Sequence, residues 1–177
     1  MVKLVRFGEE HLEMTRRWLT SSAGLREQID CLSPPTPLEN ETYWRAKWQD
    51  STREDYAIVD EAANHVGNCG LCEIDRKRKK AQLWIYLGDF QGRGIGRRAV
   101  CALLSRAFEE LTLERIYLRV LATNPRAYAF YKTLGFVEEG RLRHDTVQNC
   151  KFVDSYLLSM LSGEFKKSES GFPRNSL

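Results

Sequence analysis

The sequence predicts an α/β chain: one mixed sheet with helices on both faces. Three observations carry that prediction. Seven short runs read as strands, amphipathic helical stretches fall between some of them, and most strands follow one another as hairpins. Around residues 81–121 a strand, a helix and a strand follow in succession instead, which requires one crossover within a sheet otherwise made of antiparallel hairpins.

In order, "LVRF" reads as a first strand, and residues 9–20 as a helix carrying Leu12, Trp18 and Leu19. After the break "SPPTP", Thr36-Pro37-Leu38-Glu39 has the form of a capping box with proline at the first helical position. The helix it opens places Trp44 and Trp48 four apart, a spacing that marks a core stripe more often than a ligand platform. "DYAIV", "HVGNCGLCEI" and "AQLWIYLG" then read as three strands. From Gly94 to Leu111 the positions Val100, Leu103, Leu104, Ala107, Phe108 and Leu111 form an apolar helix face. "RIYLRVL" is a strand. Asn124-Pro125 caps and starts a helix with inner face Ala127, Phe130, Tyr131 and Leu134, stopped by Gly135. "FVEEGRLRHDTV" and "KFVDSYLLSML" close the chain as a long hairpin.

At 177 residues and 42% hydrophobic content, the chain supports one core and is short for two, so a single domain is expected over residues 1–163. The polar end, "KKSESGFPRNSL", is expected to belong to a mobile tail from 164. The amino terminus lacks the apolar stretch of a secretion signal, and no run approaches the roughly 20 apolar residues of a membrane helix. A soluble cytoplasmic protein with no membrane partner is the expectation.

Five cysteines, at 31, 69, 72, 101 and 150, are odd in number and scattered, unlike a disulfide framework. Cys69-Gly-Leu-Cys72 has the spacing of a redox or zinc pair, with His65 near. It lies in a strand, however, where residues three apart point to opposite faces, so two buried small side chains are expected and no metal. Residues 1–60 hold 8 basic and 11 acidic side chains, a net of −3, within a chain of +3 overall. The later, glycine-rich part is therefore the positive one, which suits an anionic ligand. The run Arg76 to Lys80 at a hairpin tip is read as solvated charge; without interleaved aromatics it makes a poor nucleic-acid site, and no nucleic-acid partner is expected.

The residues "QGRGIGRR" at 91–98 need bare backbone against something. The dinucleotide fingerprint fails: its third glycine would fall on Arg97 or Ala99. The P-loop fails because Arg97 follows Gly96. The pattern Gln91-x-x-Gly94-x-Gly96 resembles the signature of the GNAT superfamily of N-acetyltransferases. Asn124, Tyr131 and Gly135-Phe136, in that order, are similar to the superfamily's later block. The resemblance runs from about residue 3 to 161, and the closing segment is similar to the branch of ribosomal-protein alanine, polyamine and nucleotide-linked amino-sugar acetyltransferases.

The resemblance implies a mostly antiparallel seven-stranded sheet, splayed at its middle, and acetyl-CoA as cosubstrate. Glycine-freed N–H groups at a helix start suit the pyrophosphate. The implied cofactor-binding residues are Ile85, Tyr86 and Leu87 along the splayed strand, with Gln91, Gly92, Arg93, Gly94, Ile95, Gly96 and Arg97 in the loop, and Asn124 and Tyr131. Arg98 adds charge. One N–H of the splayed strand would polarise the thioester carbonyl, and Tyr131 would protonate the departing thiolate, although its place on an apolar helix face also fits plain core. Asn124 fits a cofactor contact and a helix cap equally.

Some relatives carry a glutamate base five positions before the asparagine; here that position is Arg119. Glu73, named as the catalytic base candidate, stands beside Asp75, His144 and a water chain as alternatives. The acceptor would be a peptide N-terminus or small amine such as a polyamine, favoured by the acidic amino-terminal third. A nucleotide-linked amino sugar is the alternative, favoured by the basic run with Arg141 and Arg143. A non-catalytic acyl-CoA-binding module is the reading from a different class. A homodimer is expected by resemblance.

Overall fold

A computed structural model describes residues 2–28, 33–88, 94–148 and 150–168. Seven strands form one sheet: β1 (Lys3–Arg6), β2 (Glu54–Val59), β3 (His65–Asp75), β4 (Lys80–Leu87), β5 (Arg115–Leu121), β6 (Val137–Gln148) and β7 (Lys151–Leu161). Their order across it is β1-β2-β3-β4-β5-β7-β6. All neighbours are antiparallel except β4 and β5, the crossover pair. The expected mixed sheet is thus the one observed.

Helix α1 (Leu12–Ser21) follows a 3-10 turn at Glu9–His11. A short α2 (Ala23–Gln28) follows it, an element absent from the sequence reading because six residues give too little periodicity to count. Helix α3 (Pro37–Trp48) opens with the capping box expected: Glu39 N donates to Thr36 Oγ1 at 3.2 Å, and Thr36 N donates back to Glu39 Oε2 at 2.8 Å. Helix α4 (Ile95–Ser105) relaxes into a π-helical turn at Arg106–Glu110. Arg106 there forks onto Glu54 of β2, at 3.0 and 3.2 Å, tying the helix end to the sheet. Helix α5 (Pro125–Thr133) carries the asparagine cap, Ala127 N donating to Asn124 Oδ1 at 3.0 Å.

Helix α4 lays Ala99, Val100, Leu103 and Leu104 on one sheet face, with Ala107 of the π-helical turn, in a core joined by Tyr131 of α5 and Leu134 at its end. On the other face α1, α2 and α3 bury Trp18, Leu19 and Leu25 in one cluster and Phe7 and Trp44 in a second. Trp44 stacks on Phe7 at 4.1 Å between ring centroids. Trp44 is therefore packed in the core, with Trp48 partly buried beside it. Ser162–Ser168 form α6, whose buried Phe165 packs against Phe108 at 5.5 Å, so packed structure runs past the boundary expected at 163. No described helix is long and apolar enough to cross a membrane.

Candidate active site

β4 pairs with β3 from end to end but with β5 only over Lys80–Gln82. β5 carries on to Leu121, held by β7 instead. The two parallel strands therefore diverge, leaving one main-chain edge of β4 without a neighbouring strand from Leu83 onward. Two cavities open on either side of this gap.

The first, of about 390 Å³, is lined by Ile85, Tyr86 and Leu87, by Gly94, Ile95, Gly96 and Arg97 at the start of α4, and by Asn124, Arg126 and Phe130. The second, of about 680 Å³, lies on the α1–α3 side, among Leu19, Trp44, Tyr43, Arg53, Gln82, Trp84 and Arg119. Ile85, Tyr86 and Tyr131 line both. The sheet is thus open from one face to the other at Tyr131.

Gly94 sits before α4 with φ of 70°, the left-handed region that suits glycine, and among the described residues no side-chain hydrogen bond caps the helix. The N–H groups of the first turn have no partner within the helix, and the positive helix end faces the first cavity. Gly94 has no Cβ to intrude there, and Arg97 adds a guanidinium to the wall. Such a helix start could hold a phosphate-bearing group, as the resemblance expects for the pyrophosphate of coenzyme A. Gln91, Gly92 and Arg93 lie outside the described residues, as does Cys31.

Tyr131 is buried, its ring against Phe130 at 5.1 Å and Phe136 at 5.5 Å. Burial pushes its phenol far above the ordinary tyrosine range, so it stays protonated at neutral pH. Its hydroxyl makes no hydrogen bond with any described residue, and its proton is available to whatever enters. Tyr86, by contrast, is fixed. Asn68 Nδ2 donates to the Tyr86 hydroxyl and to Thr15 Oγ1, each at 2.8 Å, while His65 Nε2 meets Asn68 Oδ1 at 2.7 Å. This buried network holds the end of β4 against α1. Asn124 lines the first cavity while its Oδ1 caps α5, so both roles expected of it fit together.

The three carboxylate and imidazole candidates for a base are not brought to the gap. Glu73 is exposed at a bulge, with φ of 52°, and accepts from the Tyr117 hydroxyl. Asp75 binds Arg78 at 2.7 Å in the hairpin turn. His144 is exposed and stacks on Phe152 at 4.9 Å. None of them lines either cavity. Glu73 lies in the irregularity between Cys72 and Asp75, where the regular pairing of β3 with β4 is interrupted.

Sequence reasoning missed Arg53, Gln82 and Trp84 as wall residues; they are far apart in the chain and carry no motif. Arg126, next to the asparagine-proline cap, was missed likewise. Cys69 and Cys72 are unbonded, and burial raises both thiols, Cys72 to about 11. The described residues hold no cluster of three or more metal-binding side chains.

A family model for the acetyltransferase (GNAT) domain matches residues 2–137. The spermidine N(1)-acetyltransferase of Vibrio cholerae is 29% identical over 128 residues, 72% of this chain and 74% of that protein. YdaF of Bacillus subtilis, named as a ribosomal N-acetyltransferase, is 27% identical over 124 residues, 70% of this chain and 67% of that protein. The solved structure of the Vibrio cholerae spermidine N-acetyltransferase with CoA and spermine has a TM-score of 0.87 at 23% identity, covering 93% of this chain and 98% of that one; the likeness is one of fold.

Proposed function

The chain belongs to the GNAT acetyltransferase domain family, and on that premise we propose that it acetylates the primary amine of a small acceptor by direct attack within a ternary complex. Acetyl-CoA is the cosubstrate and supplies the acetyl group as an activated thioester. The observation that carries the reading is the meeting of two cavities, from opposite sheet faces, at Ile85, Tyr86 and Tyr131. Two reactants that approach from opposite sides of one gap can meet in line without a covalent enzyme intermediate.

The residues divide the work. The open start of α4, with Gly94, Ile95, Gly96 and Arg97, would bind phosphate, and the unpaired edge of β4 at Ile85–Leu87 would receive an extended arm as an added strand. Main-chain N–H on that edge would stabilise negative charge on a carbonyl oxygen. Tyr131 would hold its proton at Oη and donate it to the departing sulfur. The acceptor's own proton would leave through water, since no carboxylate or imidazole among the sequence candidates lines the gap.

Two relatives named for spermidine and ribosomal acetylation support an amine acceptor. Incubation with acetyl-CoA and a panel of amines, scored by mass for an added acetyl group, tests the proposal. Acetyl-CoA binding with no amine acetylated would favour the non-catalytic binding module.

A further inference from the structure

We infer that the acceptor amine carries a carboxylate or phosphate, bound by Arg53 and Arg119. The inference rests on reading the second cavity as the acceptor site. Among the described residues that line this cavity, the charged ones are Arg53, Arg119 and Glu39.

Arg53 is almost buried, its side chain 12% exposed, and is backed by Asp55, whose side chain is 5% exposed. Nε and Nη2 fork onto the two Asp55 oxygens at 3.2 and 2.8 Å. Nη1 makes no hydrogen bond with a described residue. Asp55 does not line the cavity, so it anchors the guanidinium from behind and leaves a donor facing the space. Arg119 projects from β5 and reaches Asp145 through a single long contact of 3.4 Å, which leaves most of its five donors to a ligand.

Glu39, the one acidic side chain among the described residues of the cavity wall, has its Oε2 committed to the start of α3, where it accepts from Thr36 N and Thr36 Oγ1 at 2.8 Å each. Four acidic side chains of residues 1–60 are engaged elsewhere. Glu9 and Glu41 share Arg45, Glu13 holds Arg16, and Glu54 holds Arg106. A polyamine needs carboxylates to replace the water around its remaining positive charges, and here it would meet guanidinium groups instead. A planar anionic group matches the arginine fork, with charge-assisted hydrogen bonds. Trp84, its ring 5.9 Å from the Arg53 guanidinium carbon, offers a flat apolar wall to the remainder of the acceptor.

The test measures kcat/KM with acetyl-CoA for matched pairs: tyrosine against tyramine, phosphoethanolamine against ethanolamine, and glucosamine 6-phosphate against glucosamine, with spermidine alongside. The anionic member of at least one pair should exceed its neutral partner by roughly 10-fold or more, the scale of one charge-assisted hydrogen bond. The pair that responds distinguishes a carboxylate from a phosphate. In Arg119→Gln that ratio should fall toward 1. Arg53→Lys, which keeps a cation for Asp55 to hold, should lower the same ratio if the variant is folded by circular dichroism. Spermidine used as well as or better than every anionic amine, or a ratio unmoved in Arg119→Gln, overturns the inference and leaves the acetyltransferase reading standing. Acetylation of no amine in the panel overturns both.

Discussion

Gln82 and Tyr117 are the last residues at which β4 and β5 face each other as partners. Beyond them the strands part, and the gap receives Tyr131 from α5. A continuous parallel pair would have filled this space with main-chain hydrogen bonds. Its interruption after three residues creates both the free strand edge and the passage between the sheet faces.

Replacing Tyr131 with phenylalanine removes the hydroxyl and little else, since that oxygen binds no described residue. Turnover should fall by about 100-fold or more, within the usual range for a positioned acid. Binding of coenzyme A and the melting temperature should change little. Steady-state kinetics with calorimetry of coenzyme A binding separates the effects, and unchanged turnover would remove Tyr131 from the reaction.

Gly94→Asp should weaken coenzyme A binding by at least about 10-fold. A residue with a Cβ pays roughly 1–2 kcal/mol in the left-handed region, where Gly94 has φ of 70°, and the carboxylate adds repulsion toward phosphate. Gly94→Ala isolates the backbone cost. Equal affinity in the aspartate variant would place the pyrophosphate elsewhere.

Gly88 lies where a Cβ would come within 2.2 Å of Trp18 Cε2. Gly88→Ala must therefore push α1 away from the end of β4. A destabilisation of about 1–3 kcal/mol is expected for such overpacking. Thermal unfolding followed by tryptophan fluorescence measures it, and an unaltered midpoint would mean that α1 yields without cost.

Glu139 is held well below the ordinary carboxylate range, to about 2, chiefly by its hydrogen-bonded ion pair with Arg115 and also by the Ser159 hydroxyl. A carboxylate lowered in the folded state stabilises fully above its unfolded value, about 4.3, and loses that contribution as pH falls toward 2. The side chain is 33% exposed, so screening limits the contribution to roughly 0–1 kcal/mol. Acid unfolding of Glu139→Gln between pH 5 and 2 should accordingly show a shallower loss of stability than the parent. Parallel curves would mean that the pair contributes nothing.

Periodicity and punctuation alone determined the order of the strands and of the helices α1, α3, α4 and α5, because each of these elements writes its own local pattern: alternation for β4, a stripe for α4, Thr36 and Asn124 as caps. Gly94, Gly96 and Tyr131, which line the cavities, were singled out for the same reason, as they belong to short contiguous motifs. The tertiary structure decided the rest. The bulge at Glu73 is a register event between two strands, and its own residues give no sign of it. The acceptor wall brings Arg53 from before β2, Gln82 from β4 and Arg119 from β5, residues joined only once the sheet has closed and split. Net charge over residues 1–60 suggested a cationic ligand, yet charge summed along a chain ignores pairing. Folding paired Glu9, Glu13, Glu41 and Glu54 with arginines and set Arg53 and Arg119, each beside an aspartate, in the cavity wall.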